Sequence, residues 1–600
     1  MTSDEDEKTT AAPYLDVENP FEVGADGAKA EYLLKNPEEL EELAVGARTL
    51  IRDSKGEEKT WISAQVKKLE KYAPFLPKRS KKLYLEEEEQ DPTTIFSETN
   101  GPHSHQPMII NLDLEEELTK KDEGGYERSA VQRPPAIDSE MVFPDLKNDE
   151  DEPSLQNLLS IKDQGIPLGA VGFESKPIVR GDSHEDLLIY RWDLNNLDIK
   201  HTFVVGESGS GKTVLLKRMG LHIRKQQEAP VVLTDVQGDL VQLALSEEIE
   251  ENEQEGWQEQ VEMPTREEAL EAMRPFKLVV PQSNNEYPDR LKALKKYIEE
   301  KDSDKAKFRE IGLRLKDVDD FREIEYLFRT NSQYAAPILN DAVEDLENHG
   351  EDVKVSKLLS YLDRKQSAES DEDRNWVMIN RTKYGENSLD AVIRGTTEPL
   401  KKYFDNDTAS LDQDENPFSE LREDESTVIL YLEHLDKKQR IMYEMQMINW
   451  LYEKRDKNWN PYVFIDEAHQ VIPKKAPFKG SGDTFERLKL TFERLAREGR
   501  KYNINLILST QSPQDIAQVV NDQCQTRIVM KSNEKNARAA ELNEGELRRI
   551  ADSFGKGQFF IKSPFNDTSE WLRLHSWLPN LPHAKMEFWD DFTNKVIENN

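Results

Sequence analysis

The 600-residue sequence predicts an α/β protein built around a parallel sheet. Three observations carry that expectation. Short apolar runs recur at 202–205 (TFVV), 230–234 (PVVLT), 276–280 (FKLVV), 427–432 (TVILYL), 462–465 (YVFI) and 504–509 (INLILS). Runs of this length and continuity, separated by helically spaced stretches, suit strands buried on both faces. The first run leads into Gly206, Glu207, Ser208, Gly209, Ser210, Gly211, Lys212 and Thr213, in the spacing G-x-x-x-x-G-K-[ST]. The fifth ends in two acids, Asp466 and Glu467.

The glycine-rich loop is a phosphate cradle. Its glycines let backbone N–H groups turn inward, and the helix that opens with Lys212, Thr213 and Val214 adds its positive end. Lys212 is expected on the β- and γ-phosphates, and the Thr213 hydroxyl on Mg²⁺. A ligand-free turn is the bland alternative; a buried strand before the loop and an amphipathic helix after it favour nucleotide. Residues 235–238 match D-x-x-G, yet no N-K-x-D base-reading motif accompanies them, which favours ATP over GTP.

Strand ends carry the rest of the chemistry. Open α/β sheets place ligands beyond the carboxyl ends of their strands, where Asp466 and Glu467 fall. Asp466 is expected to hold Mg²⁺ through its water shell, and Glu467 to orient and polarise the attacking water. Arg494, Arg497 and Arg500 recur every three residues on one helix face. They read as a solvated face or as fingers offered to a neighbour's γ-phosphate; their place between the acids and the next strand favours fingers. The run 504–509 delivers Thr510 and Gln511 beside the nucleotide, with Gln511 a candidate γ-phosphate sensor.

Along the chain, residues 1–55 read as an acidic, partly disordered segment, with helical spacing at Leu40, Leu43, Ala44, Ala47 and Leu50. Residues 56–165 read as a β-rich domain with acidic linkers: two strands within 60–85, one at 108–114, and loops at 86–90 and 122–153. His103 and His105 lack further ligands nearby and read as loop residues rather than a metal site. Residues 166–280 form the first part of the core and 281–420 a charged α-helical insertion, with Ile338, Val343 and Leu346 at helical spacing. The core resumes over 421–579, with a helix at 437–454 and last strands near 557–561 and 571–577. Residues 580–600 read as a tail helix able to pack on a neighbour.

Bulk properties narrow the partners. The net charge of −37 is spread along the chain, so any nucleic-acid contact must be local. Lys474, Lys475 and Lys479, in a Pro/Gly-marked loop past the acids, are the local candidates, against a plain surface loop. The acidity suits a halophilic host, although Lys outnumbers Arg. A single cysteine, Cys524, rules out an internal disulfide and reads as a small buried residue. With no long apolar run and no leader pattern, the expectation is a cytoplasmic protein that makes no membrane contact.

The phosphate loop, DVQGDL (235–240), DEAHQVIP (466–473), LAREGRKYN (495–503), STQSP (509–513) and QCQTRIVMK (523–531) occur in that order. Together they resemble the HerA/FtsK superfamily of DNA-translocating ATPases, most nearly its archaeal HerA branch, over roughly residues 166–578. The resemblance implies a RecA-like P-loop core, a ring homo-hexamer with double-stranded DNA in its pore, and ATP with Mg²⁺ bound between subunits. It implies helicase-like coupling, and a nuclease partner in DNA end processing or repair. The family's basic position before the first strand falls on Lys200 and its acidic position after the second on Asp235. Its trans arginine falls on Arg500, with Arg497 as second choice. A small β-barrel opens HerA proteins, and residues 60–194 are its expected counterpart. The alternatives are a plasmid, conjugation or viral DNA-transfer motor, and a non-motor ATP-driven switch that binds a protein. A superfamily 2 helicase fails for want of Q-x-x-G-R-x-G-R, and an ABC subunit for want of an LSGGQ-like signature.

Overall fold

Burial alternates with period two along residues 27–34: Ala28, Ala30, Tyr32 and Leu34 face inward and their neighbours outward. An acidic N-terminal region can therefore still build a core. The computed structural model describes the chain from residue 9 to 598, with its longest undescribed stretches at 14–20, 35–45, 54–59, 72–107, 193–200, 250–256, 369–374, 405–417, 476–481 and 565–570. The chain divides into two units, one formed mainly by residues 1–163 and the other mainly by 191–600.

The first unit holds β1 (Thr9–Pro13), β2 (Phe21–Gly24), β3 (Gly27–Leu34), β4 (Arg48–Asp53), β5 (Thr60–Lys71), β6 (Met108–Lys120), β7 (Tyr126–Ala130) and β8 (Glu140–Val142). Their order is β2-β3-β1-β8-β4-β5-β6-β7, and β3 pairs in addition with β6, Ala28 opposite Leu114 and Leu34 opposite Met108. That second pairing closes β3, β1, β8, β4, β5 and β6 into a barrel and removes their free edges. Tyr32, Ile51, Ile62, Val66, Ile110 and Leu112 fill its interior, and the Tyr32 hydroxyl bonds Ser139 Oγ at 2.7 Å.

Three expectations change here. The described residues of 9–53, in the segment expected to be partly disordered, form β2 and contribute three barrel strands, β1, β3 and β4, because alternation rather than mean polarity decides whether a strand can bury one face. The helical spacing up to Leu50 ends in β4, a strand. Residues 122–153 are not a linker, since they contain β7 and β8. Residues 81–85 and 86–90, and His103 and His105, lie outside the described residues.

Four short strands follow: β9 (Ile166–Val171), β10 (Val179–Arg180), β11 (Asp186–Leu187) and β12 (Ile189–Trp192). The second unit contains β13 (His201–Val205), β14 (Val231–Asp235), β15 (Phe276–Pro281), β16 (Ala306–Ile311), a separate hairpin of β17 (Trp376–Ile379) and β18 (Thr382–Gly385), then β19 (Thr427–Tyr431), β20 (Tyr462–Ile465), β21 (Asn505–Thr510), β22 (Thr526–Met530), β23 (Gln558–Lys562) and β24 (Leu572–His575). Its main sheet runs β24-β23-β22-β13-β21-β20-β14-β19-β15-β16. The pairs from β22 to β16 are parallel, as expected; β23 and β24 join antiparallel, so the sheet is mixed. β13, β14, β15, β19 and β22 are buried along their whole length, which is why most of their residues are apolar or β-branched.

The stretch 281–420 is less purely helical than expected. Helices Asp289–Lys301, Ala335–Asn348, Val355–Ala368 and Glu386–Tyr403 are present, and Ile338, Leu339 and Leu346 bury one face. Between the first two, however, β16 extends the main sheet in parallel with β15, Phe276 opposite Ala306. The tail helix Glu587–Glu598 packs on Asp289–Lys301 of its own chain, with the Tyr297 and Phe592 rings 5.5 Å apart and Lys296 Nζ donating to the Val596 carbonyl at 3.0 Å. Among the described residues, no helix is long and apolar enough to cross a membrane.

The barrel core gives a direct check. Ile110 is fully buried on β6, where two strands pair with it. Ile110→Ala is expected to cost about 2–5 kcal/mol of the barrel's stability. The readout is a lower urea midpoint for the first unfolding transition.

Candidate nucleotide-hydrolysis site

β13 lies between β21 and β22, with Val205 opposite Thr510 and Val529. The loop that leaves it is braced by both neighbours. Gly206 N donates to Thr510 O at 3.2 Å, and Glu207 N to Lys531 O at 2.8 Å. Gly557 N donates to Ser210 O at 3.0 Å, beneath the turn into helix Lys212–Gln227. Gly211 caps that helix at φ +103°, a left-handed conformation that a side chain resists. Ser208 and Gly209 form the exposed crest, Ser210 is buried with Oγ 3.9 Å from Met530 Sδ, and Thr213 and Val214 sit half-buried in the first turn. Lys212 Nζ lies across the loop, donating to the carbonyls of Gly206 (2.8 Å) and Glu207 (3.1 Å). Burial lowers its pKa, opposed by Glu467, Asp466 and Glu207.

β14, β20 and β21 are adjacent, and their ends bring three carboxylates together. Asp235 is fully buried. Its Oδ1 accepts Gly238 N (2.7 Å), Asp239 N (3.2 Å) and Gln237 N (3.3 Å), and its Oδ2 accepts Val241 N (2.7 Å). Burial pushes its pKa up to about 6 against the pull of those amides. The resemblance puts the family's acidic position on Asp235; in the structure both its oxygens accept from the backbone of the 235–241 turn. That turn presents Gln237.

Asp466 and Glu467 are adjacent in sequence but differ electrostatically. Asp466 N donates to Thr234 Oγ1 at 3.1 Å, and Ser509 Oγ donates to its carboxylate. Burial pushes Asp466 up to about 7, helped by Glu467 and Asp235 and opposed by Ser509 and Lys212. Glu467 stands at φ +49°, a strained position for a side-chain residue. Its Oε1 accepts Gln511 Nε2 (2.6 Å) and Gln237 Nε2 (3.0 Å), and its Oε2 lies 3.2 Å from His469 Nδ1. Burial raises its pKa, but His469, Lys212 and Gln511 outweigh that and leave it below the usual carboxylate value. One acid is thus ready to gain a counter-charge, and the other is held ionised as an acceptor.

Gln511 bonds Glu467 directly, and its carbonyl accepts Asn536 Nδ2 at 2.9 Å. Asn533, three residues earlier, donates from its backbone and side chain to Glu207 Oε1 at 3.2 and 3.3 Å. The strand-end network therefore runs back to the phosphate loop. Sequence reasoning missed Gln237, Ser509, His469, Asn533 and Asn536 as site residues. Their sole local signal is position, just past a strand end or inside a recognised motif. Among the described residues no cluster of three or more His, Cys, Asp or Glu is arranged to hold a metal ion. Thr213 and Asp466 are the oxygens that fit a hard cation shared with phosphates and water.

Residues 188–449 match the family model described as the central domain of the helicase HerA. The chain carries a HerA-type domain. That span takes in the phosphate loop and the Asp235 turn, while Asp466 and Glu467 follow it in the chain. No curated protein matches the chain. Among solved structures, the bacterial conjugative coupling protein TrwB is 10% identical, with 65% of this chain and 88% of TrwB covered at a TM-score of 0.41. The pCW3 conjugation coupling protein TcpA is 12% identical, with 92% of each chain covered at 0.26. The genome-packaging NTPase B204 of Sulfolobus turreted icosahedral virus 2 is 11% identical, with 64% of this chain and 99% of B204 covered at 0.24. Likenesses this distant add nothing to the geometry of the site.

The remaining sequence candidates, Lys200 aside, follow the matched span in the chain. Arg494 and Arg497 are exposed on helix Gly482–Tyr502, and Arg497 pairs with Glu493 at 2.5 Å. Lys474 and Lys475 are exposed, and Lys474 N donates to Asp515 O. Lys200, Lys479 and the Arg500 side chain lie outside the described residues. Cys524 is buried and its thiol is pushed up to about 12, so it is no nucleophile.

The raised pKa of Asp466 has a consequence for stability. An acid whose folded pKa lies above its unfolded value binds more protons when folded, so stability falls as pH rises from about 4 to about 7. Asp466→Asn mimics the protonated form. It is expected to raise the Tm of the nucleotide-free protein at pH 8 and to give no gain near pH 4, read by thermal melts across that range.

Proposed function

We propose that the chain is an ATP-hydrolysing ring motor that translocates or unwinds double-stranded DNA in the cytoplasm, in DNA end processing or repair. The observation that carries this is the convergence of Lys212 with Asp466 and Glu467, the latter held by Gln237, Gln511 and His469, in a chain whose residues 188–449 match the HerA central domain. The backbone amides of 206–213 would cradle the triphosphate and Lys212 would shift from the loop carbonyls to the β- and γ-oxygens. Thr213 and Asp466 would hold Mg²⁺, which supplies charge neutralisation on the phosphates. Glu467, ionised and fixed by three neighbours, is suited to align a water for in-line attack and weakly suited to strip its proton.

The six-membered barrel favours the HerA branch over a plasmid or viral DNA-transfer motor, since such a barrel is what the resemblance implies. In this reading the homo-hexamer completes each site with Arg500, or Arg497, from a neighbour. Lys474, Lys475 and Lys479 face the pore and touch DNA phosphates, and a nuclease acts on the translocated end. The exposure of Arg497, Lys474 and Lys475 supports these roles, because each requires a surface free to meet another molecule.

Three experiments test the reading. Lys212→Ala and Glu467→Gln should each lower ATP turnover more than about 100-fold, with Glu467→Gln still binding ATP. Duplex DNA should stimulate the wild-type protein; turnover indifferent to DNA would leave an ATP-driven switch and exclude a motor. For the ring, mixing Arg500→Ala chains with Lys212→Ala chains should restore part of the activity, because some interfaces then combine an intact Lys212 with an intact Arg500. Mixed chains as inactive as either parent would rule out Arg500 in trans.

A further inference from the structure

Gln237 reaches Glu467 from a turn that is gripped on two sides. Asp235 holds it from below through the N–H of Gly238 at 2.7 Å. Arg290 holds it from above, its Nη2 donating to the Gly238 carbonyl at 2.8 Å. Gly238 has φ +79°, and a Cβ at that position would collide with the Arg290 guanidinium. The close approach of the arginine therefore depends on glycine.

Arg290 belongs to helix Asp289–Lys301, and it makes three contacts with one guanidinium. Besides Gly238, its Nη1 pairs with Glu433 Oε1 at 2.9 Å, and its Cζ lies 3.6 Å from the centroid of the Trp589 ring. Trp589 is buried within the tail helix Glu587–Glu598. That helix is seated by the Tyr297–Phe592 ring contact, by Lys296 to the Val596 carbonyl, and by Lys595 to Glu248 at 2.6 Å. A planar guanidinium that lies on an aromatic face and spends one Nη on a carboxylate and the other on a carbonyl has few orientations left. The one seen here aims Nη2 at Gly238.

We propose that Arg290 is a positioning residue for hydrolysis: it transmits the seating of the C-terminal helix, through the Gly238 carbonyl and the Gln237 amide, to Glu467. The inference rests on the ATPase reading of the site. Glu467 sits at a strained φ, and two amides share its Oε1. With Gln237 gone, Gln511 alone holds that oxygen, and a carboxylate free to rotate aligns water less often. Arg290 bonds no residue of the 206–213 loop in the described contacts, so its loss should act on turnover and leave ATP binding alone.

The test is a double-mutant cycle on the full-length chain: Arg290→Met, Gln237→Ala and the pair, each assayed for kcat, for the KM of ATP, and for Tm. Gln237→Ala is expected to lower kcat about 10-fold and Arg290→Met about 3- to 10-fold, each with KM changed less than about 2-fold. Because the two act in series, the pair should be no worse than Gln237→Ala alone. Arg290→Lys keeps the charge without the fork and should recover part of kcat. Should Arg290→Met fold poorly, Trp589→Phe retains an aromatic core residue and should lower kcat in the same direction by a smaller factor. Losses that multiply in the pair, a loss expressed as a higher KM, or an unchanged kcat in Arg290→Met would each overturn the inference while leaving the ATPase reading intact. A wild-type chain without ATP turnover, measured beside Lys212→Ala, would overturn the ATPase reading itself and this inference with it.

Discussion

Three carboxylates brought together by neighbouring strand ends are the constraint around which the ATPase unit is organised. Buried negative charges are costly unless each finds donors or a proton, and the unit solves the problem differently for each. Asp235 is wrapped by four backbone N–H groups and becomes part of a turn. Asp466 has one hydroxyl donor and an elevated pKa, which leaves its site receptive to a cation. Glu467 gathers two amides and an imidazole and stays ionised. Lys212 offsets part of the remaining charge from the phosphate loop.

That arrangement depends on strand order. β14 and β20 are neighbours although more than two hundred residues separate them in the chain, and β21 flanks β20 on its other side. Helical and β elements between 281 and 420 occupy the intervening sequence without breaking the sheet; β16 even lengthens it. The C-terminal segment returns to the same end of the story. Its helix covers Asp289–Lys301, and through Arg290 it meets the turn that Asp235 builds. The tail helix thus packs on its own chain.

The N-terminal unit shows where composition misleads. Residues 9–53 lie in an acidic region expected to be partly disordered, yet β3 alternates small or apolar inward residues with Lys29 and Glu31 outward. β6 likewise buries Ile110, Leu112, Leu114 and Leu118 while its acids remain partly exposed. Charge on an outward face costs a strand little. Closure of the barrel lay beyond any local pattern, because the β3–β6 pairing joins segments about eighty residues apart.

The sequence by itself determined the phosphate loop, the acidic pair after β20, and Thr510 and Gln511 at the end of β21. In each case the backbone conformation and the functional group are encoded by residues adjacent in the chain: glycines that permit the turn, or an apolar strand that ends where the polar residues begin. It also determined that the core is α/β, since fully buried parallel strands leave unbroken apolar runs. Only the tertiary structure decided that both oxygens of Asp235 hold a turn, that Gln237 reaches Glu467, and that β23 and β24 turn the sheet mixed. It alone decided that Arg290 links Trp589 to Gly238. These facts rest on contacts between segments far apart in sequence, and a side chain's partner across such a distance is set by strand order and packing rather than by its neighbours along the chain.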